Sequence, residues 1–142
     1  MLRNRILPNS MAQGSRQSNT VPPRPLVSIL IPCFNTERYI SAAIESALSQ
    51  TYSNTEVIVI DDGSTDGSKS IIASYGDRIQ WRSVSNGGAC RARNEALTLA
   101  RGSLVQFLDA DDLLMPEKIE RQLPILVRNE ADLVFCRGTI FG

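Results

Sequence analysis

The chain has 142 residues, of which 42% are hydrophobic and 21% charged, and its 15 basic residues balance its 15 acidic residues. This composition is typical of one soluble globular domain, and the neutral balance excludes a strong general attraction to nucleic acid or to an anionic membrane. No apolar run approaches the ~18 residues that span a bilayer, and the absence of histidine removes the commonest general base and metal ligand.

The N-terminal segment Met1–Pro25 is rich in Arg, Ser, Asn and Pro, and the first acidic residue is Glu37. It lacks the apolar core of a secretory signal, so we predict a disordered leader followed by a folded domain at residues 26–142. The cysteines are odd in number, and Cys33 and Cys136 lie in apolar, strand-like contexts. We therefore expect both to be buried free thiols of a reducing compartment.

From Leu26 onward the chain alternates between strand-like and helical patterns. The predicted strands are short apolar runs, at Leu26–Ile31, Glu56–Ile60, Ile79–Val84, Leu104–Leu108 and, as the opening of a fifth strand, Leu133–Cys136. The predicted helices have apolar residues at helical spacing, at Ile40–Leu48, Ser68–Tyr75, Ala89–Ala100 and Glu117–Arg128, and Pro124 should kink or interrupt the last one. The alternation predicts an α/β fold, a mostly parallel sheet with flanking helices.

Polar segments follow three of the predicted strands, at Pro32–Asn35, Asp61–Asp66 and Asp109–Asp112. In an open parallel sheet, the loops at the carboxyl ends of the strands line the ligand crevice. We therefore expect the three segments to meet at one edge of the sheet.

The carboxylates of Asp109, Asp111 and Asp112 lie close together in the sequence, and adjacent carboxylates are costly unless a cation or hydrogen-bond donors neutralise them. Oxygen ligands suit Mg²⁺ or Mn²⁺, and Mg²⁺ often binds through one or two carboxylates together with substrate phosphates. The segment therefore indicates a metal-bridged diphosphate site. A solvated acidic turn that caps the next helix would use the same residues.

Two of the other segments suit a nucleoside. Phe34 offers a flat face for a base, unless it is an ordinary core aromatic. Asp61 or Asp62 could accept a hydrogen bond from a base imide or a ribose hydroxyl, and helix capping is the alternative role.

The segment Asn86–Gly88 leads into a helix that carries Arg91 and Arg93. Glycines permit close backbone approach and a helix N-terminus favours phosphate, although a plain tight turn would have the same sequence. Arg93 could pair with Asp109 or with a diphosphate, or it could be a solvated surface side chain.

Five ordered motifs together resemble a family-2 glycosyltransferase. They are Val27–Asn35, Ile44–Tyr52, Glu56–Asp66, Ala92–Asn94 and Phe107–Asp112. The resemblance covers nearly all of Leu26–Phe141. It implies a GT-A-type fold, a nucleotide-diphospho-sugar donor with uridine favoured as the base, a divalent metal, and inversion at the sugar.

The same resemblance implies roles for individual donor-site residues. Pro32 and Phe34 would lie beside the nucleoside, and Asp62 would contact the base. Arg93 and Asn94 fall in the family's helix motif beside the donor pocket.

For the metal, the resemblance makes Asp109 and Asp111 the DxD motif. Asp111 would be the direct ligand, and Asp109 would lie nearer the ribose or a metal-bound water. The general base would lie beyond Gly142, in an acceptor-binding half. We therefore expect this chain to be the donor-binding half, as either a fragment of a longer protein or a truncated gene product. The acceptor would be a glycan, a lipid-linked molecule or a protein, and the chain would be cytoplasmic or peripheral at the cytoplasmic membrane face.

Three other readings of the sequence stay open. The chain could be a catalytically inactive nucleotide-sugar-binding or interaction module. It could be a response-regulator-like or phosphatase-like sheet, although its only lysines, Lys69 and Lys118, do not match those families. The segment Asp61–Asp66 could be a calcium loop, although it is short and no glutamate follows at the required position.

Overall fold

The structure is a computed structural model that describes residues 1–3, 24–128 and 131–136. The strands of the described chain are β1 (Leu2–Arg3), β2 (Val27–Cys33), β3 (Thr55–Asp61), β4 (Gln80–Ser83) and β5 (Leu104–Phe107). Its α-helices are α1 (Ile40–Leu48), α2 (Ser68–Ser74), α3 (Ala89–Leu99) and α4 (Lys118–Val127), and a short 3-10 turn covers Gly76–Arg78. All of these strands belong to one sheet, in the order β1-β5-β2-β3-β4.

The predicted parallel α/β architecture is confirmed. Strands β5, β2, β3 and β4 run parallel, and only the two-residue β1 is antiparallel to its neighbour β5. Every residue of β2 is buried, as expected for an inner strand of a parallel sheet covered on both faces. The register pairs Cys33 with Asp61 and Asp61 with Ser83, which brings the carboxyl ends of three strands to one edge.

Helices cover both faces of the sheet. The larger apolar core lies on the face of α1, α2 and α4, and it includes Ile40, Ile72 and Ile119. Helix α3 covers the opposite face. Its Ala92 and Ala96, with Ala100 directly after its end, pack against Leu30, Ile58 and Val105, among others. Alanines at a spacing of four residues form one narrow stripe, so the helix can lie close to the strands.

The strand order reverses beside β2. The chain moves outward from β2 to β3 and β4, and α3 then carries it back to β5 on the other side of β2. In open α/β sheets, ligands bind in the crevice at such a switch point. The gap between the carboxyl ends of β2 and β5 is therefore where the fold favours a ligand.

The predicted fifth strand at Leu133–Cys136 is wrong. Leu133 makes an isolated bridge, and the backbone N–H of Val134 donates to the carbonyl of Met1 at 3.2 Å. The strand β1 occupies the edge of β5 instead, and the backbone of Val134 pairs with Met1, beside β1. Cys136 is consequently exposed, against expectation, whereas Cys33 is buried and both thiols are free.

Two further predictions concern the ends of the chain. The strand Leu2–Arg3 lies inside the segment predicted to be a disordered leader, and residues 4–23 of that segment lie outside the described residues. Pro124 does not interrupt α4, and the helix continues through it to Val127. Within the described ranges, no helix combines the length and the apolar character needed to cross a membrane.

Candidate functional site

A cleft of about 450 Å³ opens where the strand order reverses. Its walls come from the end of β2, from the loops after β3 and β5, and from the beginning of α3. Six of the side chains for which the sequence predicted a donor-site role line this cleft: Pro32, Phe34, Asp62, Arg93, Asp109 and Asp111. The fold thus brings together residues that are up to 79 positions apart (111 − 32). Their chemical roles stay predictions.

The end of β2 is followed by an exposed aromatic ring, and the strand itself ends in a buried thiol. Phe34 is 47% exposed, so it is not a core aromatic and its ring is accessible to a ligand. The preceding residue, Cys33, has its Sγ 3.1 Å from the Thr36 hydroxyl, and burial raises the pKa of the thiol. A buried thiol with a raised pKa is a poor nucleophile, so Cys33 contributes to the floor of the cleft.

The loop after β2 is tied to the loop after β3 through Asn35. Asn35 has a φ of 52°, a left-handed conformation that Asn tolerates better than most residues. Its Oδ1 accepts a hydrogen bond from the N–H of Thr65 at 2.8 Å, and its own N–H donates to the Ser64 hydroxyl at 3.0 Å. The sequence analysis placed Asn35 in the polar segment that follows β2 but did not assign this role to it.

The two aspartates after β3 have different roles. Asp61 is fully buried, and its carboxylate accepts from the N–H of Ser64 at 3.1 Å and from the hydroxyl of Ser83 at 2.7 Å. It therefore fastens β3 to its turn and to β4, and of the two aspartates only Asp62 lines the cleft. The carboxylate of Asp66 likewise accepts from backbone N–H groups. Because hydrogen-bond donors stabilise these carboxylates, the loop does not need a calcium ion.

Asp62 holds the loop that precedes α3. The side chain is 2% exposed, and its two oxygens accept from the N–H of Gly87 at 2.9 Å and of Gly88 at 2.7 Å. Gly88 has a φ of +87° and directly precedes α3, so the glycines turn the chain and present their N–H groups. The carboxylate is thereby fixed in orientation at the cleft wall.

Arg93 and Asp109 form an ion pair across the cleft. The Arg93 Nη2 donates to the Asp109 Oδ1 at 2.5 Å, and the side chains are 32% and 53% exposed. This contact confirms one of the alternatives that the sequence left open for Arg93. The neighbouring Asn94 is exposed and does not line the cleft.

The turn after β5 presents its carboxylates outward. Ala110 is only 4% exposed and belongs to the larger apolar core, whereas Asp109, Asp111 and Asp112 are exposed. The N–H of Asp112 donates to the carbonyl of Asp109 at 3.0 Å and closes the turn. An alanine between two aspartates thus anchors the turn while both carboxylates remain accessible.

The carboxylates of the cleft suit a metal ion that is bound partly by the protein and partly by a ligand. In the part of the chain that the structure describes, no group of three or more acidic, Cys or His side chains converges on one point. Two accessible carboxylates, those of Asp109 and Asp111, would leave most of the coordination sphere of a divalent ion to water and ligand oxygens. Mg²⁺ is commonly bound in this way beside substrate phosphates, so the residues fit such an ion.

Comparison with known proteins agrees with this geometry. The description Glycosyl transferase family 2 fits residues 28–141, and the chain belongs to this family. The chain is 45% identical over 114 residues to an uncharacterized glycosyltransferase of Rickettsia typhi, covering 79% of this chain and 36% of that protein. It is 39% identical over 112 residues to the Escherichia coli UDP-Glc:alpha-D-GlcNAc-diphosphoundecaprenol beta-1,3-glucosyltransferase WfgD, covering 78% of this chain and 44% of that protein.

Solved structures have the same fold. S. aureus TarS 1-349 matches with a TM-score of 0.67 and 30% identity, over 73% of this chain and 33% of that chain. TarS has also been solved in complex with UDP-GlcNAc. The Pyrobaculum calidifontis mannosyltransferase PcManGT, in complex with GDP-Man and Mn²⁺, matches with a TM-score of 0.57 and 31% identity, over 68% of this chain and 30% of that chain. The fold is therefore GT-A-like, and the chain spans less than half the length of each of these proteins.

Proposed function

We propose that the cleft binds the nucleoside diphosphate of a UDP-linked sugar donor together with Mg²⁺ or Mn²⁺. The chain then supplies the donor site of a glycosyltransferase that inverts the sugar. The observation that carries this proposal is the convergence of an exposed aromatic ring, a fixed carboxylate, an arginine and two accessible aspartates on one cleft at the switch point.

The nucleoside lies between the end of β2 and Asp62 in this proposal. Phe34 provides a stacking face, and stacking on an aromatic side chain contributes ~1–3 kcal/mol per base. The two glycine N–H groups fix the orientation of the Asp62 carboxylate. Each carboxylate oxygen has more than one acceptor site, so Asp62 can also accept from the imide N–H of a uracil ring.

The diphosphate lies between Arg93 and the turn Asp109–Asp112. A divalent ion bound there would act as a Lewis acid on the leaving diphosphate. Asp111 would bind the ion directly, and Asp109 would lie nearer the ribose or a metal-bound water. Arg93 would exchange Asp109 for a phosphate oxygen, because its planar guanidinium suits phosphate recognition. These residues together stabilise the negative charge that develops as the sugar is transferred.

Inversion requires an acceptor hydroxyl to attack the sugar from the face opposite the diphosphate. A general base must take the proton of that hydroxyl from within hydrogen-bond reach. Because the chain has no histidine, a carboxylate is the group considered for this role. The carboxylates of the described cleft are Asp62, Asp109 and Asp111, and each already has another role in this proposal. We therefore assign the base to none of them, and the acceptor is a glycan, a lipid-linked molecule or a protein.

The direct test is calorimetry of UDP binding in Mn²⁺, and again in EDTA. We expect Mn²⁺ to strengthen UDP binding, and Asp111→Asn to remove most of that gain. Asp112→Asn is the matched control, since it changes the same charge at the next residue, which does not line the cleft. Equal effects of the two substitutions would refute the assignment of Asp111, and no UDP binding by the wild-type chain would refute the proposed site.

A second candidate is a nucleotide-sugar-binding module without turnover. It is favoured by the absence of an assignable general base among the described carboxylates of the cleft. An assay of UDP release from UDP-glucose separates the two functions, because both predict UDP binding but only the transferase predicts release. If the full-length protein binds UDP but releases none from UDP-glucose, the result favours the binding module.

A further inference from the structure

We propose that Gln50 is a positioning residue of the donor site, holding the Asp109–Asp112 turn at the geometry that binds metal and diphosphate. This inference rests on the proposed function. It concerns a side chain that lies outside the cleft, on the face of the sheet that α1 and α4 cover.

Gln50 follows α1 and is only 8% exposed, yet its amide is fully engaged. Its Nε2 donates to the carbonyl of Met115 at 3.0 Å and to the carbonyl of Ser46 at 3.1 Å. Its Oε1 accepts from the N–H of Ile119 at 3.3 Å. One side chain thus joins the end of α1 to both ends of the segment 115–119, which leads into α4.

The same end of α1 makes two more contacts with this part of the chain. The Ser46 hydroxyl accepts from the N–H of Leu114 at 3.1 Å, and the N–H of Thr51 donates to the carbonyl of Pro116 at 2.9 Å. On the other side of the acidic turn, the N–H of Leu108 donates to the carbonyl of Leu30 at 3.0 Å. The turn Asp109–Asp112 is therefore held at both ends. The first anchor is the bond from Leu108 to β2, and the second anchor is the set of bonds to the end of α1.

Apolar packing supports the second anchor through one side chain of the stretch Leu113–Met115. Leu113 is 46% exposed and Met115 is 71% exposed, whereas Leu114 is buried in the larger apolar core. Polar contacts therefore act together with Leu114 to fix where the chain leaves the acidic turn. An amide side chain is suited to this task because it donates and accepts at once, which a hydrophobic residue at the same buried position cannot do.

Loss of this support should affect metal binding more than nucleoside binding. Residues that hydrogen-bond to metal ligands and orient them typically change metal affinity about 10–100-fold when they are replaced. Gln50 contacts Met115 and Ile119 and neither aspartate of the turn, so the lower end of that range applies. Phe34 directly follows the paired strand β2, and Asp62 is held by the glycine loop, so both should keep their positions.

The test compares Gln50→Ala with Tyr52→Phe in the full chain. Tyr52→Phe is the matched control, because it removes a buried hydrogen bond two residues away, from the Tyr52 hydroxyl to the carbonyl of Pro25 at 2.7 Å. UDP binding is measured by calorimetry in Mn²⁺ and in EDTA. Mn²⁺ should raise the UDP affinity of Gln50→Ala about tenfold less than it raises that of the wild type. The UDP affinity of this variant in EDTA should stay within about twofold of wild type. Tyr52→Phe should retain the wild-type UDP affinity both in Mn²⁺ and in EDTA.

Amide hydrogen exchange provides a second measurement that needs no ligand. Faster exchange at Asp112 and Leu114 in Gln50→Ala, but not in Tyr52→Phe, is the expected result. Gln50→Glu, which keeps the size but not the N–H donors, should behave like Gln50→Ala and covers the case in which the alanine variant does not fold. Wild-type exchange at these amides together with an undiminished Mn²⁺ gain would overturn the role of Gln50 alone. A wild-type chain that binds no UDP would overturn the donor site itself.

Discussion

Arg93 and Asp109 form an ion pair of 2.5 Å that joins α3 to the turn after β5. Both side chains are partly exposed, and pairs of this kind contribute only ~0.2–1 kcal/mol to stability. In the proposed donor site, a bound diphosphate and its metal would compete for these same two charges. The ion pair would then open when they bind.

Arg93→Ala should change metal and nucleotide binding in opposite directions. Without the guanidinium, Asp109 loses a competing cation, so Mn²⁺ should bind the chain alone about 2–5-fold more tightly. UDP in EDTA should bind at least about tenfold more weakly, because a charge-assisted hydrogen bond to a phosphate is lost. Mn²⁺ binding is followed by paramagnetic resonance and UDP binding by calorimetry.

Arg82→Ala is the control for this experiment. Arg82 also pairs with a carboxylate, that of Glu95 on α3, but neither residue lines the cleft. We expect its removal to leave both affinities unchanged. Parallel losses of Mn²⁺ and UDP affinity in Arg93→Ala would mean that the ion pair supports the site instead of competing with its ligands.

Asp62→Asn should both destabilise the protein and weaken UDP binding. The amide replaces one acceptor oxygen with an NH₂ group, which would face the N–H of Gly87 or Gly88. A buried N–H left without an acceptor costs ~1–3 kcal/mol, and urea denaturation would measure that loss. Asp77→Asn, at an exposed position in the 3-10 turn, should change neither quantity. An Asp62→Asn protein of wild-type stability would show that the carboxylate is not needed to hold the glycines.

Gly63 and Gly76 form a natural pair for testing how tightly the loop after β3 packs. Both have positive φ values, of 76° and 54°. A Cβ at Gly63 would lie 2.8 Å from the backbone N of Asn86, whereas a Cβ at Gly76 would meet nothing within 4 Å. Gly76→Ala should therefore cost only the backbone term of ~1–2 kcal/mol. Gly63→Ala should cost more and should also weaken UDP binding, because it displaces Asn86 at the cleft.

Thermal or urea denaturation of the two variants provides the comparison. Equal losses of stability in both would indicate that the loop around Asn86 moves aside at no cost. Retention of full UDP affinity in Gly63→Ala would further indicate that the position of Asn86 is unimportant for the ligand.

Much of this architecture could be predicted because local patterns determine it. The buried runs around β2 and β3 are apolar and β-branched, so the predicted and observed strand limits differ by no more than two residues. The polar ends of parallel strands necessarily meet at one edge, which is why the cleft residues could be named in advance. The order of the strands required a choice between several topologies that the sequence pattern does not distinguish.

The missed features depend on distant partners. The strand β1 exists only because the edge of β5 is available to Leu2–Arg3, and two residues have no strand pattern of their own. Gln50 follows an amphipathic helix, where a polar residue is ordinary, and its partners Met115 and Ile119 are 65 and 69 positions further along. Such roles are set by tertiary contacts. The motif Ile44–Tyr52 includes Gln50, but it does not show which distant groups that side chain contacts.

The carboxylate of Glu56 should make the protein sensitive to acid. Its side chain is 7% exposed and accepts hydrogen bonds from the Ser28 hydroxyl at 2.6 Å and from the backbone N–H of Arg101 at 2.7 Å. Burial alone would raise the pKa of Glu56, but the hydrogen bonds from Ser28 and Arg101 and the charge of Arg101 outweigh it, so the pKa is lowered. A lowered pKa in the folded state means that the ionised form stabilises the protein above the unfolded value of about 4.3, and that this stability is lost as the pH falls through the folded pKa.

Urea denaturation between about pH 7 and pH 3 would measure how the free energy of unfolding depends on pH. The stabilisation by ionised Glu56 should be lost only below the unfolded pKa of about 4.3. Glu56→Gln should lower the free energy of unfolding near neutral pH and should flatten its decline in acid. Glu45→Gln is the control, because Glu45 pairs with Arg78 at the surface, where both side chains are more than half exposed (51% and 57%) and the pair contributes little. If Glu56→Gln declined in acid as steeply as wild type, another carboxylate would be responsible for the acid sensitivity.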